Sequence, residues 1–251
     1  MENVDSELSK HDWIQRCKKF YNGIEAKMKT LLEFEETYEL KESLRWYTRS
    51  SFIFSLFNKI CRQQNIEWLI LYRFFLVDLY RQLEQEQSNN QYISTTTYYR
   101  GKCMSDDELK SLQESYNLNR NSLTNTCDNF YIIANTFFST TSNRQTALAG
   151  FSGQITKMIR KNLYIAIEDD FSSDNSYYFE MQSEYGYQSV LFEIQVDPDS
   201  TYPYANISHM SELPWEDETL FAIGSIFQII NIEYSEQGYA FIIKIRLINK
   251  I

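Results

Sequence analysis

Three short segments hold the side chains best suited to chemistry. Tyr98-Tyr99-Arg100-Gly101 puts a guanidinium at the end of a predicted strand, between two aromatics and a residue with no side chain. A guanidinium grips phosphate oxygens in a fixed fork geometry; the plainer reading is a strand-end arginine in a surface ion pair. Phe137-Phe138-Ser139-Thr140-Thr141-Ser142 ends an apolar run in four hydroxyls. These either hold a ligand or cap the helix that follows, with Thr141 or Ser142 as the cap. Trp215-Glu216-Asp217-Glu218-Thr219-Leu220-Phe221 sets three acids before a short apolar run. In an extended chain Glu216 and Glu218 share a face and Asp217 points away. Two carboxylates on one face repel, which raises a pKa and suits acid/base work or the stabilisation of a cation. The plainer reading is a solvated acidic turn.

Other catalytic patterns are missing from the sequence. It has no G-x-S-x-G, no phosphate-binding Walker loop and no G-x-G-x-x-G, and its two histidines, His11 and His209, stand alone. A histidine-dependent triad is therefore disfavoured. The four cysteines, at 17, 61, 103 and 127, are scattered without a C-x-x-C, so neither zinc nor any other metal is expected and reduced thiols are. The formal charge of −10 disfavours a nucleic-acid partner and suits a cationic one. The polar, acidic start does not read as a secretory leader, which points to the cytoplasm, with release by a non-standard route left open. The most apolar stretch, 68–80, contains Arg73 and Asp78 and is too short for a membrane span. An Asn206-Ile207-Ser208 sequon reads as chance without an export signal.

The elements that must position these segments fall into two regions. Residues 1–88 read as helical. Trp13, Cys17, Phe20, Ile24, Met28 and Leu31 recur every three or four residues and predict one apolar helix face. Ser51 to Gln63 and Ile66 to Glu86 predict two more helices, uninterrupted by proline. After a polar stretch at 85–97, residues 89–251 change to short apolar runs between turns. Strands are predicted over 97–101, 129–139, 163–167, 189–196, 219–221, 226–234 and 239–247, the last two joined as a hairpin through Ser235-Glu236-Gln237-Gly238. Ser105 and Glu108 form a capping-box pattern for a helix to about 115, and 143–151 reads as another helix. The fold class is α+β, with a mixed β-sheet core and an N-terminal helical region.

In their order along the chain, the three segments resemble the arginine–serine–glutamate class of mono-ADP-ribosyltransferases. Tyr-Arg-Gly resembles that family's first strand motif. Phe-Phe-Ser-Thr-Thr, followed by Ala147 and Phe151, resembles its Phe-x-Ser-Thr-Ser strand and next helix. Glu216-x-Glu218, Leu220-Phe221 and Gly224-Ser225-x-Phe227 resemble its Glu-x-Glu strand and the strand after it. Thr141 departs from the usual serine but keeps a hydroxyl. The resemblance runs from about residue 97 to the C-terminus and implies NAD as substrate and an arginine-bearing acceptor protein. It implies that Arg100 binds the NAD phosphates and that Gly101 lets the backbone approach the nicotinamide amide. Ser139 would orient Glu218 and Arg100 by its hydroxyl, and Thr140 would join it in binding NAD. Glu218 would hold the ribose, and Glu216 would meet the incoming guanidinium. Phe151 either stacks on the nicotinamide or sits in a core, and Trp215 either touches the acceptor or anchors its loop. Hydrolysis of NAD, with water as acceptor, and a non-catalytic binding module share the same residues.

Overall fold

The structure is a computed structural model, and it describes residues 2–89, 97–120, 130–149, 186–197, 200–211, 214–236 and 240–249. The chain divides into two compact units. One comprises Met1–Tyr92, Ala134–Phe138 and Tyr202–Gly224; the other comprises Ile93–Ile133, Ser139–Thr201 and Ser225–Ile251.

The first unit is built on helices α1 (Glu2–Phe20), α2 (Glu25–Thr37), α3 (Ser43–Thr48), α4 (Phe52–Gln63) and α5 (Ile66–Asn89). Aromatic side chains fill its centre. The Trp13 ring meets Phe34 at 5.2 Å and Tyr72 at 4.9 Å, both edge-on, and Phe57 meets Phe75 edge-on at 5.3 Å. Such pairs add roughly 0.5–1.5 kcal/mol each beyond the area they bury. Two later segments join this core. Phe137 packs against Tyr47 and Phe57. The antiparallel strands β5 (Tyr204–Asn206) and β6 (Glu218–Phe221) contribute Ala205 and Leu220.

The expected single face from Trp13 to Leu31 is interrupted. Helix α1 stops at Phe20, and Gly23 takes φ +83, a left-handed turn that glycine adopts at no steric cost. Trp13, Cys17 and Leu31 are buried, whereas Phe20 is 70% and Ile24 46% exposed. Helix α3 is an addition to the elements read from the sequence. Buried Gln82 of α5 holds its start: the Gln82 Oε1 accepts from the Ser43 hydroxyl (2.7 Å) and the Leu44 N–H (2.8 Å), and the Nε2 donates to the Lys41 carbonyl (2.7 Å). Helix α4 begins as its sequence predicts, with the Ser51 hydroxyl accepting from the Phe54 N–H.

The second unit carries the mixed sheet. Its strands are β1 (Thr97–Ser105), β2 (Tyr131–Ile133), β3 (Phe138–Thr141), β4 (Tyr187–Gln195), β7 (Ile226–Ser235) and β8 (Ala240–Leu247), ordered β2-β7-β8-β4-β1-β3. Strands β4 and β8 are parallel and the other described pairings antiparallel. The predicted β7–β8 hairpin is present, with Ser235 opposite Ala240. The single strand expected over 129–139 is two strands, separated by residues 134–137. Ser105 does cap a helix, accepting from the Glu108 N–H at 3.2 Å, but α6 (Asp106–Arg120) runs past the predicted end. A short helix over 144–149 buries Ala147 against Leu191, Ala240 and Ile242. The expected strand over 163–167, Phe151 and Cys127 lie outside the described residues. The α+β class with a mixed sheet is the class read from the sequence.

Candidate active site

Arg100 sits mid-way along β1, a strand flanked on both sides. Its register partner on β4 is Phe192, and its neighbour Tyr99 faces Thr141 of β3. This places Arg100 across from the hydroxyl-rich segment. The Arg100 Nη1 donates to the Ser139 carbonyl at 2.5 Å, and both residues are partly buried. The contact expected of the Ser139 hydroxyl is made here by the backbone carbonyl. A carbonyl is the firmer anchor, because its position is fixed by the strand and not by a rotatable side chain. Gly101, half-buried, follows in register with Leu191.

Thr140 and Thr141 are buried, at 5% and 7% exposure, so the segment is not a solvated hydroxyl cluster. Helix capping falls to neither Thr141 nor Ser142. Asn143 does it, accepting from the N–H groups of Gln145 (2.9 Å) and Thr146 (3.2 Å) through its Oδ1. Thr141 supports that turn, with its hydroxyl oxygen accepting from the Asn143 N–H at 3.1 Å.

The acidic segment belongs to the other unit. Pro214–Glu216 forms a 3-10 turn, Asp217 takes φ +47, and β6 opens at Glu218. The chain from Glu216 to Glu218 is therefore not extended, and the alternation argument for two carboxylates on one face does not apply. Asp217 is held in its left-handed conformation by Asn206, whose Nδ2 donates to the Asp217 Oδ1 at 2.6 Å. Asn206 also accepts from the Ser208 N–H at 3.0 Å through its Oδ1. The Ile207 N–H donates to the Glu218 carbonyl at 2.8 Å, and Asn206 pairs with Thr219 across β5 and β6. Glu218 is half-buried between a pinned carbonyl and the fully buried Thr219. Glu216 is exposed, and Trp215 is 73% exposed, which removes the buried-anchor reading of that tryptophan. The sequon's asparagine has a structural part to play, since its amide donates to Asp217.

Sequence reasoning missed Asn206 as the residue that shapes the acidic turn. The signal was present as the asparagine of the Asn206-Ile207-Ser208 sequon, but its partner lies eleven positions along the chain and only the β5–β6 pairing brings them together. Beyond these segments, no group of three or more potential metal ligands occurs among the described residues. No described helix is long and apolar enough to cross a membrane.

No family model matches this chain, and no curated protein matches it in sequence. Solved structures are similar to it in fold. Plx2a, an ADP-ribosyltransferase toxin from Paenibacillus larvae, is 13% identical with a TM-score of 0.51, covering 94% of this chain and 96% of its own. An ADP-ribosyltransferase from Clostridium botulinum is 14% identical with a TM-score of 0.49, covering 93% of this chain and 94% of its own. The Vis toxin from Vibrio splendidus is 16% identical with a TM-score of 0.46, covering 99% and 87%. Through its full-length match to Plx2a, the chain is seen to have the fold of an ADP-ribosyltransferase.

Proposed function

We propose that this chain transfers ADP-ribose from NAD to an arginine side chain of an acceptor protein and releases nicotinamide. The observation that carries the proposal is the bond from Arg100 to the Ser139 carbonyl. It joins two of the three motifs across antiparallel strands, in a chain with the fold of an ADP-ribosyltransferase.

In this reaction the bond from ribose C1′ to the nicotinamide nitrogen breaks, and nicotinamide leaves with the electron pair. Positive charge develops on the ribose, as in glycoside cleavage. A carboxylate placed there stabilises the transition state more than the ground state. Glu218 takes that role, holding the ribose 2′-hydroxyl, and its fixed carbonyl at the start of β6 limits its wandering. Arg100 binds the pyrophosphate by its guanidinium while the Ser139 carbonyl sets the plane of the fork. Ser139 and Thr140 line that strand, and Gly101 lets the backbone come close to the nicotinamide amide. Phe151 remains the candidate to stack on the nicotinamide ring. Glu216 meets the acceptor. Its exposure, beside exposed Trp215, suits a protein-borne guanidinium arriving from solvent. A guanidinium nitrogen bonds C1′ and gives up its proton, with Glu216 as the acceptor of that proton.

The test uses labelled NAD with agmatine or polyarginine and the variants Glu218→Gln and Glu216→Gln. Transfer should fall by at least about two orders of magnitude in Glu218→Gln. Glu216→Gln should lose transfer and retain NAD cleavage. Nicotinamide release without transfer in the parent chain would replace arginine by water as acceptor. Absence of cleavage in folded protein would overturn the enzymatic reading.

A further inference from the structure

Charge is unevenly distributed along the sequence of the helical unit, and an ion pair, Lys18 to Glu35 at 2.6 Å, joins its basic and acidic parts. Segments 14–31 and 59–73 hold eight lysines and arginines against two glutamates, whereas the remainder of 1–89 holds five against twelve acids. The two basic segments meet in space. The Arg16 Nη2 donates to the Glu67 carboxylate at 2.7 Å, its guanidinium lies 4.9 Å from the centre of the Trp68 ring, and Trp13 touches Tyr72. Helix α1 therefore ends where α5 begins.

The same end carries four exposed apolar side chains, including the two most exposed of helices α1 to α5. Phe20, the last residue of α1, is 70% exposed, and Ile66, the first of α5, is 71% exposed. Ile70, one turn along α5, is 56% exposed, and Ile24, in the α1–α2 turn, is 46% exposed. Single exposed hydrophobics are ordinary, but four gathered at one end with a surplus of cations are not. Lys19, which precedes Phe20, and Arg62, four residues before Ile66, are exposed, and the Lys27 ammonium sits 4.3 Å from the Tyr21 ring centre.

We infer that this end of the helical unit docks on an anionic phospholipid surface. Apolar side chains on helix ends enter the boundary between headgroups and acyl chains, while lysine and arginine stay at headgroup level and attract lipid charge. Charge complementarity selects this occupant: the end is cationic in a chain whose formal charge is −10. Contact is peripheral, because no described helix can span. The inference is independent of the proposed enzymatic activity.

The full chain is floated with vesicles of phosphatidylcholine alone and of phosphatidylcholine with phosphatidylserine, at low and high salt. It should float with the anionic vesicles only, less so at high salt. Lys19→Gln and Arg62→Gln should each weaken partitioning by about fivefold. The double variant Phe20→Ser/Ile66→Ser should weaken it by at least about tenfold. Leu8→Ser, at a 58% exposed site on the acidic part of α1, should float like the parent. Flotation with neither vesicle, equal flotation with both, or binding to RNA without binding to anionic vesicles would overturn the inference. So would unchanged flotation of the tip variants.

Discussion

The turn at Asp217 offers the sharpest test of how Glu218 is positioned. Asp217 adopts φ +47, a region costly to most residues and tolerated by aspartate, asparagine and glycine. Its carboxylate accepts from the Asn206 amide at 2.6 Å. Replacing Asp217 by alanine removes that bond, worth about 1.5 kcal/mol at the low end for a charged partner. It also puts a Cβ-bearing residue with no local hydrogen bond into the left-handed region, at about 1 kcal/mol more. The two effects act on the same turn and amount to roughly 2.5 kcal/mol, or up to about sixtyfold in the population of the native turn. Asp217→Gly loses the bond but not the backbone fit, so about tenfold is expected. Asp217→Asn keeps both a tolerant residue and an acceptor oxygen, and should stay within about threefold.

The first assay is kcat/KM for nicotinamide release, with alanine lowest, glycine intermediate and asparagine near the parent. The second reads the turn without activity. The Ile207 N–H donates to the Glu218 carbonyl, so its hydrogen exchange should quicken in the same order. An alanine variant with parental turnover and parental Ile207 protection would refute the argument that Asn206 and Asp217 set the position of Glu218. A glycine variant worse than alanine would refute the part that assigns cost to the left-handed backbone.

Three further outcomes follow from the helical unit. Gln82→Leu strands the Ser43 hydroxyl, the Leu44 N–H and the Lys41 carbonyl, and should cost roughly 3–5 kcal/mol in urea unfolding; a loss under about 1 kcal/mol would contradict the network. Burial raises the Asp78 carboxyl, against the opposing hydrogen bond from Tyr38. A raised folded pKa gives stability that is complete below the unfolded pKa and is lost as pH rises through the folded one. Asp78→Asn, which still accepts from Tyr38, should therefore match or exceed the parent's melting temperature near about pH 7, and the gap should close near about pH 4; a gap that widens on acidification would contradict this. Burial pushes the Cys17 and Cys61 thiols up to about 12 and about 11, so a thiol reagent should spare both until the chain is unfolded. Rapid native labelling of either would show that the core around α1 and α4 is open.

Much of this was legible because the residues that carry it are local in sequence. Strands β1, β4, β7 and β8 are long enough for their apolar pattern to show, and Ser51 and Ser105 mark helix starts by their own hydroxyls. What stayed hidden depends on partners far along the chain. Helix α3 is six residues long and is held at its start by Gln82, some forty positions on. Strand β5 is three residues after a proline, and only its pairing with β6 makes it a strand. The run 129–139 reads as one strand, yet it breaks where Phe137 enters the helical core beside Tyr47 and Phe57. The acidic segment shows the same limit within the candidate site. Reading Glu216-Asp217-Glu218 by alternation assumes an extended backbone, and the types of the three residues cannot reveal that Asn206 reaches across to hold the middle one at positive φ. The identity of an acid is fixed by the codon, but the direction its backbone takes is fixed by that turn. This is why Asp217, the acid that alternation set aside, governs the geometry of its neighbour Glu218.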